Sequence, residues 1–390
     1  MNNTSHSDNG EFWTIINGLN LLLVFIVTYF FVYMQTQGLI TADTRQHIHF
    51  MQQYFEGQVY IPHPLWHIGT YYLSHLLGVD YSVGASVFTA FLVTFYAMVI
   101  YKIAQSLDTH KRDYAKWFLI TFVSLVIGPF FLMSFNSRIY LGQGSPSVWH
   151  NVTLLTLKPL ALLSVFYTIK FFASNQYYHF ILAVIVTVAS IFAKPNYIII
   201  FLPSLLVYMI LKKYFDKRQL QFTLVTVLLS IAALAYQFTN EFGGKGEGSI
   251  IFDFLGVWSI YSPSIPISIL MVLGLPLLIT FFNYQSVKEN EFIKFSWLLV
   301  FFAFVLFACF AEGGKHYSHG NFSWSWHLSL SLIYVFTIIE YFKHYFSMSA
   351  VIRYSLLAIM LYQLYVGWYF LIGMFNGINY NDAINTFPFF

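Results

Sequence analysis

The stretch NGLNLLLVFIVTYFFVYMQTQG, residues 17–38, carries no charged side chain along its length. About 20 mostly apolar residues are enough to cross the hydrocarbon core of a bilayer as a helix, so this stretch reads as a membrane span. No basic run precedes it and no small-residue cleavage site follows it. It is therefore expected to stay on the protein as an anchor. Ten further stretches are mostly apolar, with at most two charged residues each: 82–104, 116–133, 152–171, 179–193, 195–211, 220–239, 264–282, 293–311, 326–342 and 351–373. The chain is expected to be an all-α polytopic membrane protein of about eleven spans. The fifth and sixth spans are short and meet at Ala193-Lys194-Pro195-Asn196, which predicts a hairpin that dips below the membrane surface. Irregular backbone at that depth needs protein or a wet cavity over it.

Composition points the same way. Of 390 residues, 19 are Lys or Arg and 16 are Asp or Glu, so 9% are charged, while 58% are hydrophobic and 21% aromatic. A soluble domain is about 25% charged, and this chain could not cover its apolar surface with polar groups. Disorder is excluded as well, because it needs low hydrophobicity and high charge. There is no internal repeat and no soluble domain, so residues 1–390 read as one integral membrane domain. The single cysteine, Cys309, excludes an internal disulfide or a cysteine-based metal cluster. The basic residues are scattered thinly through the loops, and no nucleic-acid partner is expected.

Lys and Arg also set the orientation, because cytoplasmic loops are enriched in them. With the N-terminus inside, thirteen basic residues fall on the inner side, among them Lys111, Arg112 and Lys116, and six fall outside: Arg45, Arg138, Lys158, Lys194, Lys245 and Lys315. Acids divide eight and eight. Eleven spans then leave the C-terminal tail outside. The outer segments are the longer ones, and most histidines lie in or near them. Polar chemistry is concentrated on the extracytoplasmic side.

The first outer loop, 39–81, is the most informative. From Asp43 to Gly57 it reads as an amphipathic helix, with Asp43 placed to cap the start and Gly57 to stop the end. Ile48, Met51 and Phe55 form a stripe suited to the membrane interface. Asp43 and His47 are four residues apart and share a face. This predicts either a simple helix cap or a carboxylate general base at the water–lipid boundary, with His47 orienting it or sharing in proton transfer. Arg45 lies on the same segment. The phrase Gly57-Gln-Val-Tyr-Ile-Pro-His-Pro-Leu-Trp-His67 follows, with His63 held between two prolines.

An outer-loop Asp just after the first span, an interfacial helix and then a proline-rich aromatic turn resemble the GT-C membrane glycosyltransferases, chiefly bacterial members tied to surface polysaccharide. The resemblance covers the architecture and mainly residues 17–80. It implies sugar transfer from a lipid-phosphate donor on the extracytoplasmic face, with Asp43 as catalytic base. Many members carry two adjacent acids; here Asp43 is followed by Thr44. No metal or other cofactor is expected.

A lipid-phosphate donor needs cations where the departing phosphate sits, since charge-assisted hydrogen bonds to phosphate are the strong ones. Lys158 and Lys194 stand out, each one residue before a proline within an apolar run, where a charge is costly and usually faces a cavity. Arg138 lies in a Gly/Ser/Pro-rich loop that reads as a mobile substrate loop. Lys315 and His316 lie in Glu312-Gly-Gly-Lys-His-Tyr-Ser-His319. Trp149 could stack on a sugar face, with His150 beside it, and Trp324 carries the same ambiguity. Arg45, His63, His67, Arg138, Trp149, His150, Lys158, Lys194, Lys315 and His316 are the candidate substrate contacts; Asp43 and His47 are the candidate catalytic pair. The grouping of Glu312, His316, His319 and His327 raises a metal reading, but no fixed-spacing ligand motif supports it.

The expected reaction is inverting transfer of a sugar from polyprenyl phosphate to the hydroxyl of a glycan or glycolipid, in a bacterial plasma membrane. Two readings stay beside it: a polysaccharide polymerase or ligase using a lipid-diphosphate donor, and a lipid or solute transporter.

Overall fold

Long apolar runs become helices here, and polar caps start several of them. The structure, a computed structural model, describes residues 7–108, 113–242 and 249–379. Lys111, Arg112, Lys245 and the C-terminal tail lie outside the described residues. Helix α1 (Ser7–Thr36) is followed by two short helices, α2 (Thr44–Phe55) and α3 (Leu65–Leu77), and then by α4 (Tyr81–Leu107) and α5 (Tyr114–Val126). Next come α6 (Val152–Ser174), α7 (Tyr177–Ala193), α8 (Asn196–Lys212) and α9 (Lys217–Phe242). The strand β1 (Ile250–Phe252) and the short α10 (Gly256–Tyr261) lead into α11 (Ile265–Phe282), α12 (Tyr284–Val287) and α13 (Glu291–Cys309). Strand β2 (Phe310–Glu312) pairs antiparallel with β1, and α14 (Ser323–Lys343) and α15 (Ala350–Phe375) close the bundle. Asp80 starts α4 by accepting the N–H groups of Ser82 and Val83, and Asn290 starts α13 in the same way from Phe292 and Ile293. Such caps satisfy N–H groups that have no partner within the helix.

Among the described residues, eight helices are long and apolar enough to cross a membrane, and three shorter apolar helices (Tyr114–Val126, Tyr177–Ala193 and Asn196–Lys212) accompany them. The chain is thus a helical multi-pass membrane protein. Helix α14 is the axis of the bundle. From Ser325 to Tyr341 every residue is buried, as expected of a helix surrounded on all sides. Helix α1 is peripheral and lies mainly against α4.

With the shorter α5, α7 and α8 counted among them, the apolar helices have their ends in two sets. One end carries ion pairs: Lys116–Asp108 at 2.6 Å, Lys212–Glu291 at 2.6 Å and Lys294–Glu291 at 2.8 Å. The other end carries the junctions α1–α2, α7–α8 and α13–α14, together with the start of α6.

Three expectations change. The span read over 116–133 stops being helical at Val126, because the chain leaves α5 at Ile127 and bonds elsewhere: Gly128 N–H donates to Gln363 O of α15 at 2.9 Å. The segment read as a mobile loop is instead packed inside the protein, and residues 142–150 are all buried. The indole N–H groups of Trp258 and Trp326 hold it by donating to Gly142 O (3.0 Å) and Gln143 O (3.2 Å). Gly144, at φ +100°, leaves no room for a side chain, since a Cβ would stand 2.3 Å from Trp326 Nε1. Finally, the apolar stripe of α2 packs on protein. Met51 is fully buried, Ile48 lies against the Trp66–Ala85–Val152 cluster, and Phe55 stacks on Tyr71 of α3 at 3.5 Å.

Helices α5 and α15 approach most closely at Gly367, where a Cβ would stand 1.8 Å from Val126 O. Since added methyl groups in packed interiors typically cost about 1–3 kcal/mol, Gly367→Ala is expected to lower the thermal midpoint in detergent clearly. An unchanged midpoint would show that the two helices can separate freely.

Candidate active site

Asp43 sits directly before α2, yet its side chain caps nothing. Its backbone is at φ −81°, ψ −1°, and no N–H of the helix donates to it. The plain cap reading therefore fails. The carboxylate turns toward the start of α6 instead: Asn151 Nδ2 donates to Oδ2 at 2.6 Å, and His47 Nε2 lies 3.6 Å from the same oxygen. The second oxygen, Oδ1, is buried without a hydrogen-bond partner.

Asn151 is the N-cap of α6 and has work for both halves of its amide. While Nδ2 serves Asp43, Oδ1 accepts the N–H of Leu154 (2.8 Å), the hydroxyl of Thr153 (2.9 Å) and the ammonium of Lys194 (3.4 Å). Lys194 is buried where α7 ends and the chain runs extended into Pro195. Its Nζ also donates to Thr153 Oγ1 at 2.9 Å and stands 5.0 Å from the centre of the Trp324 ring, a cation–π distance. One amide thus links a carboxylate to an ammonium.

A second chain of polar contacts starts two residues on. Asn196 Nδ2 donates to Asn321 O (3.0 Å), and Asn321 Nδ2 donates to Glu312 Oε2 (2.7 Å). The Lys194-Pro195-Asn196 break thus anchors two arms that lead to two carboxylates.

Both arms face one cavity of about 1160 Å³. Its polar lining includes Asp43, His47, His63, His150, Lys194 and Glu312. Its opposite wall is apolar and comes from α8 and α9: Ile199, Ile231, Leu234 and Phe238. Ile199, Ile231 and Phe238 are also exposed on the flank of the bundle, so this wall continues into the outer apolar surface.

Electrostatics follow from burial and neighbours. Burial pushes the Asp43 carboxyl up, but His47, His150 and Lys194 outweigh it and hold the pKa below the usual carboxylate value. Burial brings Lys194 down to about 8, with Asp43 opposing the shift. Burial likewise takes His150 to about 3, against the pull of Asp43, and His67 to about 3, helped by His47. His63 lies well below its ordinary value through burial and the charge of Lys194. At neutral pH the cavity therefore presents an ionised Asp43, a charged Lys194 and neutral imidazoles at His63 and His150.

The other expected site residues divide. His47 and His67 meet behind Asp43, with His47 Nδ1 3.1 Å from His67 Nε2; His67 is buried outside the cavity lining. Arg45 is exposed and lies over Gly38. Trp149 is packed edge-on against Phe31 and accepts Gln35 Nε2 through its backbone oxygen, so it anchors α1 and does not line the cavity. Lys158 is buried within α6, which continues through Pro159, and its Nζ donates to Pro146 O at 3.2 Å; it secures the 142–150 segment. Arg138 lies over the Tyr261 ring at 5.3 Å. Neither Arg138, Lys158, Lys315 nor His316 lines the cavity. His316 and His319 meet at 3.4 Å, and among the described residues no three His, Cys, Asp or Glu side chains are grouped as a metal site. The residues that sequence reasoning missed are Asn151, Asn196 and Asn321; Glu312, weighed there only as a metal ligand, lines the cavity. The only local signal for Asn151 is its place one residue before a long apolar run, where a cap belongs.

No protein-family model matches the chain, and neither a curated protein nor a solved structure is significantly similar to it.

Lys194 makes a testable pH dependence. Its folded-state pKa of about 8 lies below the ordinary 10.5, so between these values the unfolded chain holds a proton that the folded chain has released. Stability from this group rises with pH across that window, by up to about 3 kcal/mol. The thermal midpoint of the natural chain should gain on that of Lys194→Met between pH 8 and 10. Parallel curves would show that Lys194 is not buried in this way.

Proposed function

We propose that this protein is a membrane glycosyltransferase that moves a sugar from a polyprenyl-phosphate donor to a hydroxyl of a glycan or glycolipid acceptor. The observation that carries this reading is the Asp43 carboxylate, fixed through Oδ2 by Asn151 and His47 and left with a buried, unpartnered Oδ1 beside a cavity that also holds an ammonium. A carboxylate held on one oxygen and open on the other is arranged to accept a proton.

In the reaction, Asp43 takes the proton of the acceptor hydroxyl as that oxygen attacks the anomeric carbon. The bond from that carbon to the phosphate oxygen breaks, and polyprenyl phosphate leaves with the electron pair. Lys194, fixed by Asn151 and Thr153 before any substrate arrives, meets the charge that grows on the departing phosphate; preorganised donors of this kind are the effective ones. A single displacement inverts the anomeric centre. His47 orients Asp43 from behind. The apolar wall of α8 and α9 takes the prenyl chain, which can reach the cavity from the lipid side past Ile199, Ile231 and Phe238.

Charge favours a monophosphate over a diphosphate donor. Lys194 is the only Lys or Arg among the residues lining the cavity, and one ammonium balances the single charge of a phosphodiester. This weighs against the polymerase or ligase reading with a lipid diphosphate.

The cavity lies at the end of the bundle opposite the Lys-rich ion pairs. Basic residues favour the cytoplasm, so the cavity faces outward from a bacterial plasma membrane, with the N-terminus inside. The three short apolar helices complete eleven spans; α7 and α8 each rise only about 25 Å, and their junction is sunk below the outer surface. Helix α2 lies along that surface, with Arg45 and His49 exposed.

The test uses purified protein in detergent with a labelled polyprenyl-phosphate sugar. Asp43→Asn should reduce release of polyprenyl phosphate by at least about a hundredfold while donor binding persists. Lys194→Met should weaken donor binding instead. Full turnover by Asp43→Asn would end the assignment of the base. A reporter fused after Phe215 should read cytoplasmic; an external signal would reverse the orientation.

A further inference from the structure

A second cavity, of about 430 Å³, opens on the other side of Trp149, between α1, α4, α5 and α15. Its walls are apolar, with Leu21, Val24, Phe122 and Trp368 among them. One end is polar and holds Asn17, Lys102 and Gln105. From Asn17 to Thr28, both of which line it, α1 rises about 16 Å. This is roughly half of a 30 Å hydrocarbon core, so the slot is as deep as one leaflet.

The polar end is built but incomplete. Asn17 Nδ2 donates to Tyr101 OH at 2.7 Å, while Asn17 Oδ1 is buried without a partner. Lys102 Nζ reaches Gln105 Oε1 at 3.3 Å and lies 5.9 Å from the Tyr101 ring centre. No carboxylate pairs with Lys102 among the described residues. An apolar slot at membrane depth does not hold water, and an empty one forfeits the packing contacts of its lining.

We propose that this slot binds one phospholipid with an anionic headgroup from the leaflet at the basic end of the bundle. One acyl chain fills the slot and the headgroup phosphate meets Lys102. The bound chain reaches Trp149, which lines this slot while the next two residues, His150 and Asn151, line the first cavity. The lipid therefore supports the segment that positions Asp43. Binding at the slot is independent of the proposed transfer reaction, and the test below reads no turnover.

Full-length protein is placed in nanodiscs of equal phosphatidylglycerol and phosphatidylcholine with a small fraction of polyprenyl phosphate, then released for native mass spectrometry. The natural chain should retain one phosphatidylglycerol. Lys102→Gln should reduce its preference over phosphatidylcholine by about fivefold. Gly18 lines the slot, and a Cβ there would meet nothing within 4 Å, so Gly18→Phe should fold with an unchanged thermal midpoint and lower lipid retention by about tenfold. Equal retention of the two phospholipids by the natural chain, undiminished retention by Gly18→Phe, or polyprenyl phosphate as the lipid that Gly18→Phe displaces would each overturn the proposal.

Discussion

The carboxamide of Asn151 joins the helix bundle to its cavity. It begins α6 as any good cap does, and the same group holds Asp43 on one side and Lys194 on the other. An amide is suited to this because it donates at one end and accepts at the other. A carboxylate at this place would repel Asp43; an ammonium would repel Lys194. With the amide between them, two opposite charges stay close without collapsing onto each other. In a medium where unpaired charge is expensive, that separation keeps both groups available to something else.

The buried 142–150 segment is the other half of the arrangement. Buried non-helical backbone needs partners for its polar groups. Here two indoles cover it and donate to its carbonyls, and the Lys158 ammonium donates to a third, Pro146 O. The segment delivers His150 and Asn151 to the cavity on a rigid base. Lys158, expected to touch substrate, instead secures the segment that lines the cavity.

How far the sequence could be read follows from the range of each interaction. The long spans were legible because an apolar run is a local property, and among the described residues eight helices are long and apolar enough to cross a membrane. Asp43 was legible for a similar reason, standing alone just past the first of them. Lys158 and Lys194 show where local reading ends. Both precede a proline in an apolar setting. Yet α6 continues through Pro159 and keeps Lys158 within the packing, whereas the chain breaks at Pro195 and places Lys194, still buried, on the cavity wall. Asn151 was missed because its partner lies elsewhere: 108 residues separate Asn151 from Asp43. The Gly/Ser/Pro composition of 142–150 suggests an exposed loop, and only contacts with distant tryptophans make it core.

The three-residue break between α7 and α8 has a mechanical consequence. Lys194 reaches one carboxylate through Asn151, and Asn196 reaches the other through Asn321. A tilt of either helix would therefore pull on both walls at once, because one short break ties the two acidic corners of the chamber together.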